Sequence, residues 1–98
     1  MGQLIISEQD IINAICLFMS HEKDIEPDEV EVELIYDDEE EMAFTAETSI
    51  HNKTELIPTA KIIAALRLWI DLYTESEGIS AGIKLHFNEN DGIYASVW

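Results

Sequence analysis

Residues Asp37–Glu41 are five consecutive carboxylates, DDEEE, set between the apolar stretches VEVELIY and MAFTAE. Clustered carboxyl oxygens are the donors that hard divalent cations require. A calcium loop, however, alternates its ligands and bends the chain at a glycine, and this run does neither. In an extended chain neighbouring side chains point to opposite sides, so about three of the five could converge. The expected role is a solvated connection between two strands, one whose charge discourages edge pairing. The segment NENDG, Asn88–Gly92, is superficially similar to a calcium loop. Aligning its glycine with that of such a loop puts Phe87 where an oxygen ligand belongs, so a turn is expected there.

The other reactive side chains are scattered. His21, His51 and His86 fall in different segments, with no pair at the four-residue helical spacing that builds metal sites. Cys16, the single cysteine, lies in an apolar run, where a thiol behaves as a small hydrophobe. Serine triads, phosphate loops, dinucleotide fingerprints and paired zinc cysteines are absent from the sequence. The composition therefore carries no catalytic constellation, and no cofactor is expected.

Charge is the dominant global property. The net charge is −16, and the stretch from Glu22 to Glu47 holds thirteen acids against one base, Lys23. Such a surface repels phosphate backbones and anionic lipid, because nucleic-acid and membrane affinity depend on cations. Nucleic acid and membrane are excluded as expected partners, and a basic protein is favoured. The interaction patch expected on this ground comprises Asp28, Glu29, Glu31, Glu33, Asp37, Asp38, Glu39, Glu40 and Glu41.

The elements that would hold these residues can be read from periodicity. Ninety-eight residues, 47% of them apolar, suit one domain with its own core. SEQD at Ser7–Asp10 is a helix start with a hydroxyl cap and early acids. Ile11, Ile12, Ile15, Phe18 and Met19 then form an apolar stripe that ends before Pro27. Alternation predicts strands over VEVELIYD, about Met42–His51 and Thr54–Ile57. A second helix opens at Pro58-Thr59, with Thr59 as cap, and carries Ile62, Ile63, Leu66, Trp69, Ile70 and Tyr73 on its buried face. Arg67 and Asp71 are placed for an ion pair one turn apart. Ile79 to Phe87 and Ile93 to Val97 alternate around the NENDG turn. The expected architecture is α+β, a single domain over residues 1–98 in the order αβββαββ, with an antiparallel sheet and two helices packed on one face.

Two surplus apolar faces point to self-association as a homodimer. One is the helical stripe Ala65, Leu68 and Leu72. The other is an outer sheet face carrying Ile35, Tyr94 and Trp98 beside Lys84 and His86.

The opening IISEQDIINAIC, the strand P-x-x-V-E-V-E-L-x-Y-D and the later S-A-G-I together resemble the small acidic YxcD-like proteins of bacilli. The resemblance runs from about Leu4 to Val97. It implies a cytoplasmic protein of a spore-forming Gram-positive bacterium, in a family without established function, and it supplies no catalytic residues. The resulting expectation is a non-enzymatic protein-interaction or regulatory module. Two alternatives remain open. One is a small-ligand or divalent-cation binder, or an enzyme, which a pocket joining Glu31 or Glu33 to His51 would favour. The other is a DNA mimic, which needs carboxylates arrayed along an extended face.

Overall fold

A computed structural model describes residues 4–39, 43–74, 78 and 81–98. Expectations placed on Glu40, Glu41, Met42 and Ile79 lie outside the described residues. The chain runs β1 (Leu4–Ile6), α1 (Glu8–Lys23), a 3-10 turn (Pro27–Glu29), β2 (Val30–Tyr36), β3 (Phe44–Ile50), β4 (Lys53–Ile57), α2 (Thr59–Tyr73), β5 (Ile83–Asn88) and β6 (Gly92–Val97). The class is α+β and the order is the expected one, preceded by a short extra strand.

The six strands form two antiparallel three-stranded sheets, in the orders β1-β6-β5 and β2-β3-β4. Each sheet grows from local hairpins, and the first is completed by β1 laid against the end of β6, with Ile6 opposite Ala95. Where the sheets approach, side chains meet. Tyr36 at the end of β2 packs against Phe44 and Phe87 with ring centroids 4.9 Å and 4.6 Å away.

The inward residues of both sheets meet one helical layer. Helix α1 contacts β2 and β6, α2 contacts β3, and the helices pack on each other. Ile6, Ile11, Ile15, Met19, Ile62, Leu66, Ile70 and Ala95 are buried at the centre. Ser7 caps α1 by accepting from the Asp10 amide at 3.2 Å. The carboxylate of Glu8 accepts from the Ile93 amide at 3.0 Å, fixing the α1 start to the β5–β6 hairpin. Thr59 does not cap α2. Pro58 occupies that position, because the Thr59 hydroxyl is used to donate to the Phe44 carbonyl and tie α2 to β3.

The two hairpin ends use left-handed backbone. His51 and Asn52 close β3–β4 at φ 49° and 69°, as a two-residue type I′ turn requires. Gly92 takes φ 71° at the start of β6, where the Asn88 side chain accepts from the amides of Asn90 and Asp91. NENDG is thus a turn stabilised by its own amides.

Helix α2 ends at Thr74, and Arg67 and Asp71 both reach the segment that follows. Arg67 Nη1 donates to the carbonyls of Gly78 at 2.6 Å and Ala81 at 2.8 Å, and Asp71 accepts from the Gly78 amide at 2.6 Å. These side chains strap the return from α2 to β5.

Candidate functional site

The β2-β3-β4 sheet turns its outward face to solvent. Along β2 that face carries Glu31, Glu33 and Ile35. The register sets them against Ser49, Glu47 and Thr45 of β3, and β4 adds Thr54 and Leu56. Glu33 therefore stands directly opposite Glu47. Like charges so paired oppose folding by about 0.2–1 kcal/mol. Glu31 and Glu33 repeat at roughly 6.7 Å along the strand. Together with Glu47 they border a shallow recess of about 310 Å3.

Among the described residues, no Lys or Arg stands on this face. The ion pairs among the described residues are His51–Glu29 at 2.9 Å and Lys61–Glu22 at 3.2 Å, both elsewhere. Nor do the carboxylates converge: among the described residues no group of three His, Cys, Asp or Glu side chains could hold a metal ion. Spread carboxylates suit several ammonium or guanidinium groups better than one inner-sphere ion.

The rest of the expected patch lies at the ends of this sheet. Asp28 and Glu29 stand in the 3-10 turn before β2. Asp37, Asp38 and Glu39 follow β2, where the Asp37 carboxylate accepts from the Glu39 amide at 3.0 Å and the Asp37 amide donates to the Ala43 carbonyl at 2.8 Å. Asp37 thus shapes the connection, while Asp38 and Glu39 are exposed. Glu40 and Glu41 lie outside the described residues. Glu47 stands outside the expected patch, and the register of β2 with β3 is what sets it against Glu33.

Replacing Glu33 by Thr removes the repulsion and adds a β-branched residue. Stability should rise by about 0.2–1 kcal/mol, seen as a melting-temperature gain of about 1–8 °C. The gain should shrink in 0.5 M NaCl, where screening already weakens the repulsion. A loss of stability in Glu33→Thr would show that the two carboxylates do not oppose each other.

Glu29 has a defined structural task. Its carboxylate accepts from the Glu26 amide at 2.8 Å and meets His51 Nε2 at 2.9 Å. The amide of Glu26 and then the bond to His51 hold the Glu29 carboxyl below its ordinary range. A carboxyl lowered in the folded state contributes stability that is complete above its ordinary value and lost as pH falls through the lowered one. The contribution of the Glu29 carboxylate is therefore present at neutral pH and lost in acid. His51→Ala should move the Glu29 midpoint upward, though only part of the way, because the Glu26 amide remains. Side-chain carboxyl 13C shifts followed against pH check this, and an unmoved midpoint contradicts it.

Glu31, Glu29 and His51 do share one recess of about 390 Å3, with Asp28, Ser49, Asn52 and Thr54. It is open: every one of these residues except the half-buried Ser49 is exposed.

The remaining reactive groups are separated. Cys16 is half-buried, its thiol donates to the Val30 carbonyl at 3.5 Å, and burial pushes its pKa up, away from the reactive thiolate. His21 is exposed on α1. His86 stacks on Tyr94 at 4.9 Å and shares a 2.8 Å hydrogen bond with the Ser96 hydroxyl. On the β1-β6-β5 sheet Tyr94 and His86 are paired, and Lys84 lies opposite Ser96 on the same outward side. Ile35, expected beside them, belongs to the other sheet.

The expected self-association stripe on α2 is corrected by burial. Ala65 is wholly buried in the core and Leu68 is half-buried, leaving Leu72 at 52% exposure. Tyr73, expected inside, is 65% exposed. The arc of α2 that the strands and α1 cover is rotated toward Ala65 and away from Tyr73.

Against this geometry stand the relations to known proteins. The family model described as "Protein of unknown function (DUF2653)" matches residues 1–90. The chain is similar to "Uncharacterized protein YxcD" of Bacillus subtilis (strain 168), 29% identical over 97 residues that cover 98% of this chain and 93% of that protein. No solved structure matches the chain.

Proposed function

As the chain belongs to the DUF2653 family of proteins of unknown function, we propose from its surface chemistry that it is a non-enzymatic interaction module whose acidic sheet face engages a basic protein in the cytoplasm. The observation that carries this reading is Glu33 opposed to Glu47 across β2–β3, with Glu31 beside them and no cation partner among the described residues. Folding alone disfavours that arrangement. A partner that brings Lys or Arg to it relieves the repulsion and gains charge-assisted hydrogen bonds. The charge of the whole chain speeds the encounter. Among the described residues no helix is long and apolar enough to cross a membrane.

An NMR titration with a peptide alternating Lys or Arg with Thr tests this. Shifts concentrated at Glu31, Glu33, Glu47, Thr45 and Ser49, and abolished in Glu33→Thr/Glu47→Thr, support it. Shifts spread evenly over all exposed carboxylates oppose it.

The recess shared by Glu29, Glu31 and His51 supports a second reading, a small-ligand or cation site. A thermal-shift screen of metals and metabolites that finds one compound raising the melting temperature by several degrees, with the rise lost in His51→Ala, would favour it.

A further inference from the structure

A cleft of about 700 Å3 opens between the first turns of α1, the Pro27–Glu29 turn and the last turns of α2. That volume falls in the range of small-molecule sites. One wall holds Trp69 and Tyr73, a helical turn apart with ring centroids at 5.7 Å. The other lining includes Asp10 and Asp28, with the amides of Gln9 and Asn13 joined to each other at 3.1 Å. No basic side chain lines the cleft among the described residues. No hydrogen bond or ion pair engages the carboxylate of Asp10 or of Asp28 among the described residues.

Aromatic faces carry negative potential and attract cations, most strongly when the cation has an apolar body that sheds its water easily. The two carboxylates add unit charges of the same preference. The positive end of α1 opposes them with only about half a charge. An anion would meet two carboxylates here and no cationic side chain among the described residues, and among them no donor set converges on a metal ion. We infer that this cleft is a binding site for an organic ammonium group, carried either by a linear polyamine or by a lysine side chain of a peptide. The site goes beyond the acidic sheet face, with which it shares only Asp28.

Trp69 and Trp98 are the two tryptophans, so Trp98→Phe leaves Trp69 as the reporter. In that background spermidine, or a capped tripeptide containing one lysine, should change the Trp69 emission saturably. NaCl and MgCl2 at equal ionic strength should not. Tyr73→Leu, at an exposed position, should weaken the response about two- to fivefold, and Asp10→Asn, which keeps side-chain shape and the backbone bond to Ser7, by a similar factor. Glu33→Thr/Glu47→Thr should leave it unchanged, which separates this site from the sheet face. A response to spermidine alone assigns a free polyamine, and one to the peptide alone assigns a protein side chain. The inference is overturned if neither probe acts, if MgCl2 acts equally, or if the sheet variant weakens the response as much as Asp10→Asn.

Discussion

Leu66→Ala should destabilise the protein by about 2–5 kcal/mol and lower its melting temperature by roughly 10–30 °C. Leu66 is fully buried between Ile62 and Ile70, one turn away on either side and equally closed to water. It belongs to the same buried cluster as Ile11, Ile15 and Met19 of α1 and Ala46 of β3, and α2 packs on both of those elements. Helix α1 and strand β3 both pack against α2, so the space that the substitution leaves cannot close without moving elements that are themselves packed. A domain of this size has about 5–15 kcal/mol in total, so the loss is a large share of its stability. Leu72→Ala is the control. With half its surface already in water, its loss should stay within about 0.5 kcal/mol. Urea denaturation of both variants checks the contrast, and equal costs would contradict the packing of α2 described above.

Gly78→Ala should cost about 3 kcal/mol or more. A Cβ at Gly78 would overlap the Arg67 carbonyl oxygen and sit 2.8 Å from the carbonyl carbon. Both are backbone atoms of α2, and neither can swing aside as a side-chain tip would. The segment must retreat, and with it go the bonds that Arg67 makes to Gly78 and Ala81 and that Asp71 makes to the Gly78 amide. Two of these involve a charged donor at part-buried positions, each worth about 1.5–3 kcal/mol. Arg67→Met removes the same donors without a clash. The double variant should therefore lose markedly less than the sum of the single losses. Full additivity would mean that the strap and the close approach are independent.

The parts of this fold legible in the sequence are those determined within a few residues. Ser7 and the acids after it announce α1, and the alternation of Val30, Val32 and Leu34 with Glu31 and Glu33 announces β2. The parts that escaped are set by contacts distant along the chain. Leu4–Ile6 is too short to show a period, and becomes a strand only because the end of β6 offers it a ladder. Thr59 looks like a cap until the Phe44 carbonyl claims its hydroxyl. Arg67 and Asp71 have the spacing of an exposed pair, yet the return of the chain after α2 puts both to work on backbone. Ala65 and Tyr73 were exchanged between surface and core because α2 is apolar over more than half its circumference. Periodicity then cannot say which arc is covered.

The candidate site divides in the same way. The density of acid between Glu22 and Glu47 was plain from the sequence, and drew attention to the run Asp37–Glu41. The structure uses Asp37 to build the turn and sets Glu33 opposite Glu47, fourteen positions apart in sequence. Cross-strand register is a property of two segments together, so neither segment alone could announce it. The aromatic lining at Trp69 and Tyr73 was likewise assigned to the core, since a helical spacing of large apolar residues most often means burial.

Carbodiimide coupling in living cells, which joins a carboxylate directly to a lysine in contact with it, tests the role of the acidic face most directly. Mapped by mass spectrometry, the links should join Glu31, Glu33 or Glu47 to lysines of one basic protein, and the yield should collapse in Glu33→Thr/Glu47→Thr while the variant stays folded. Links that arise only from Asp38, Glu39 and other exposed acids, to many proteins and unchanged in that variant, would contradict a specific function for this sheet.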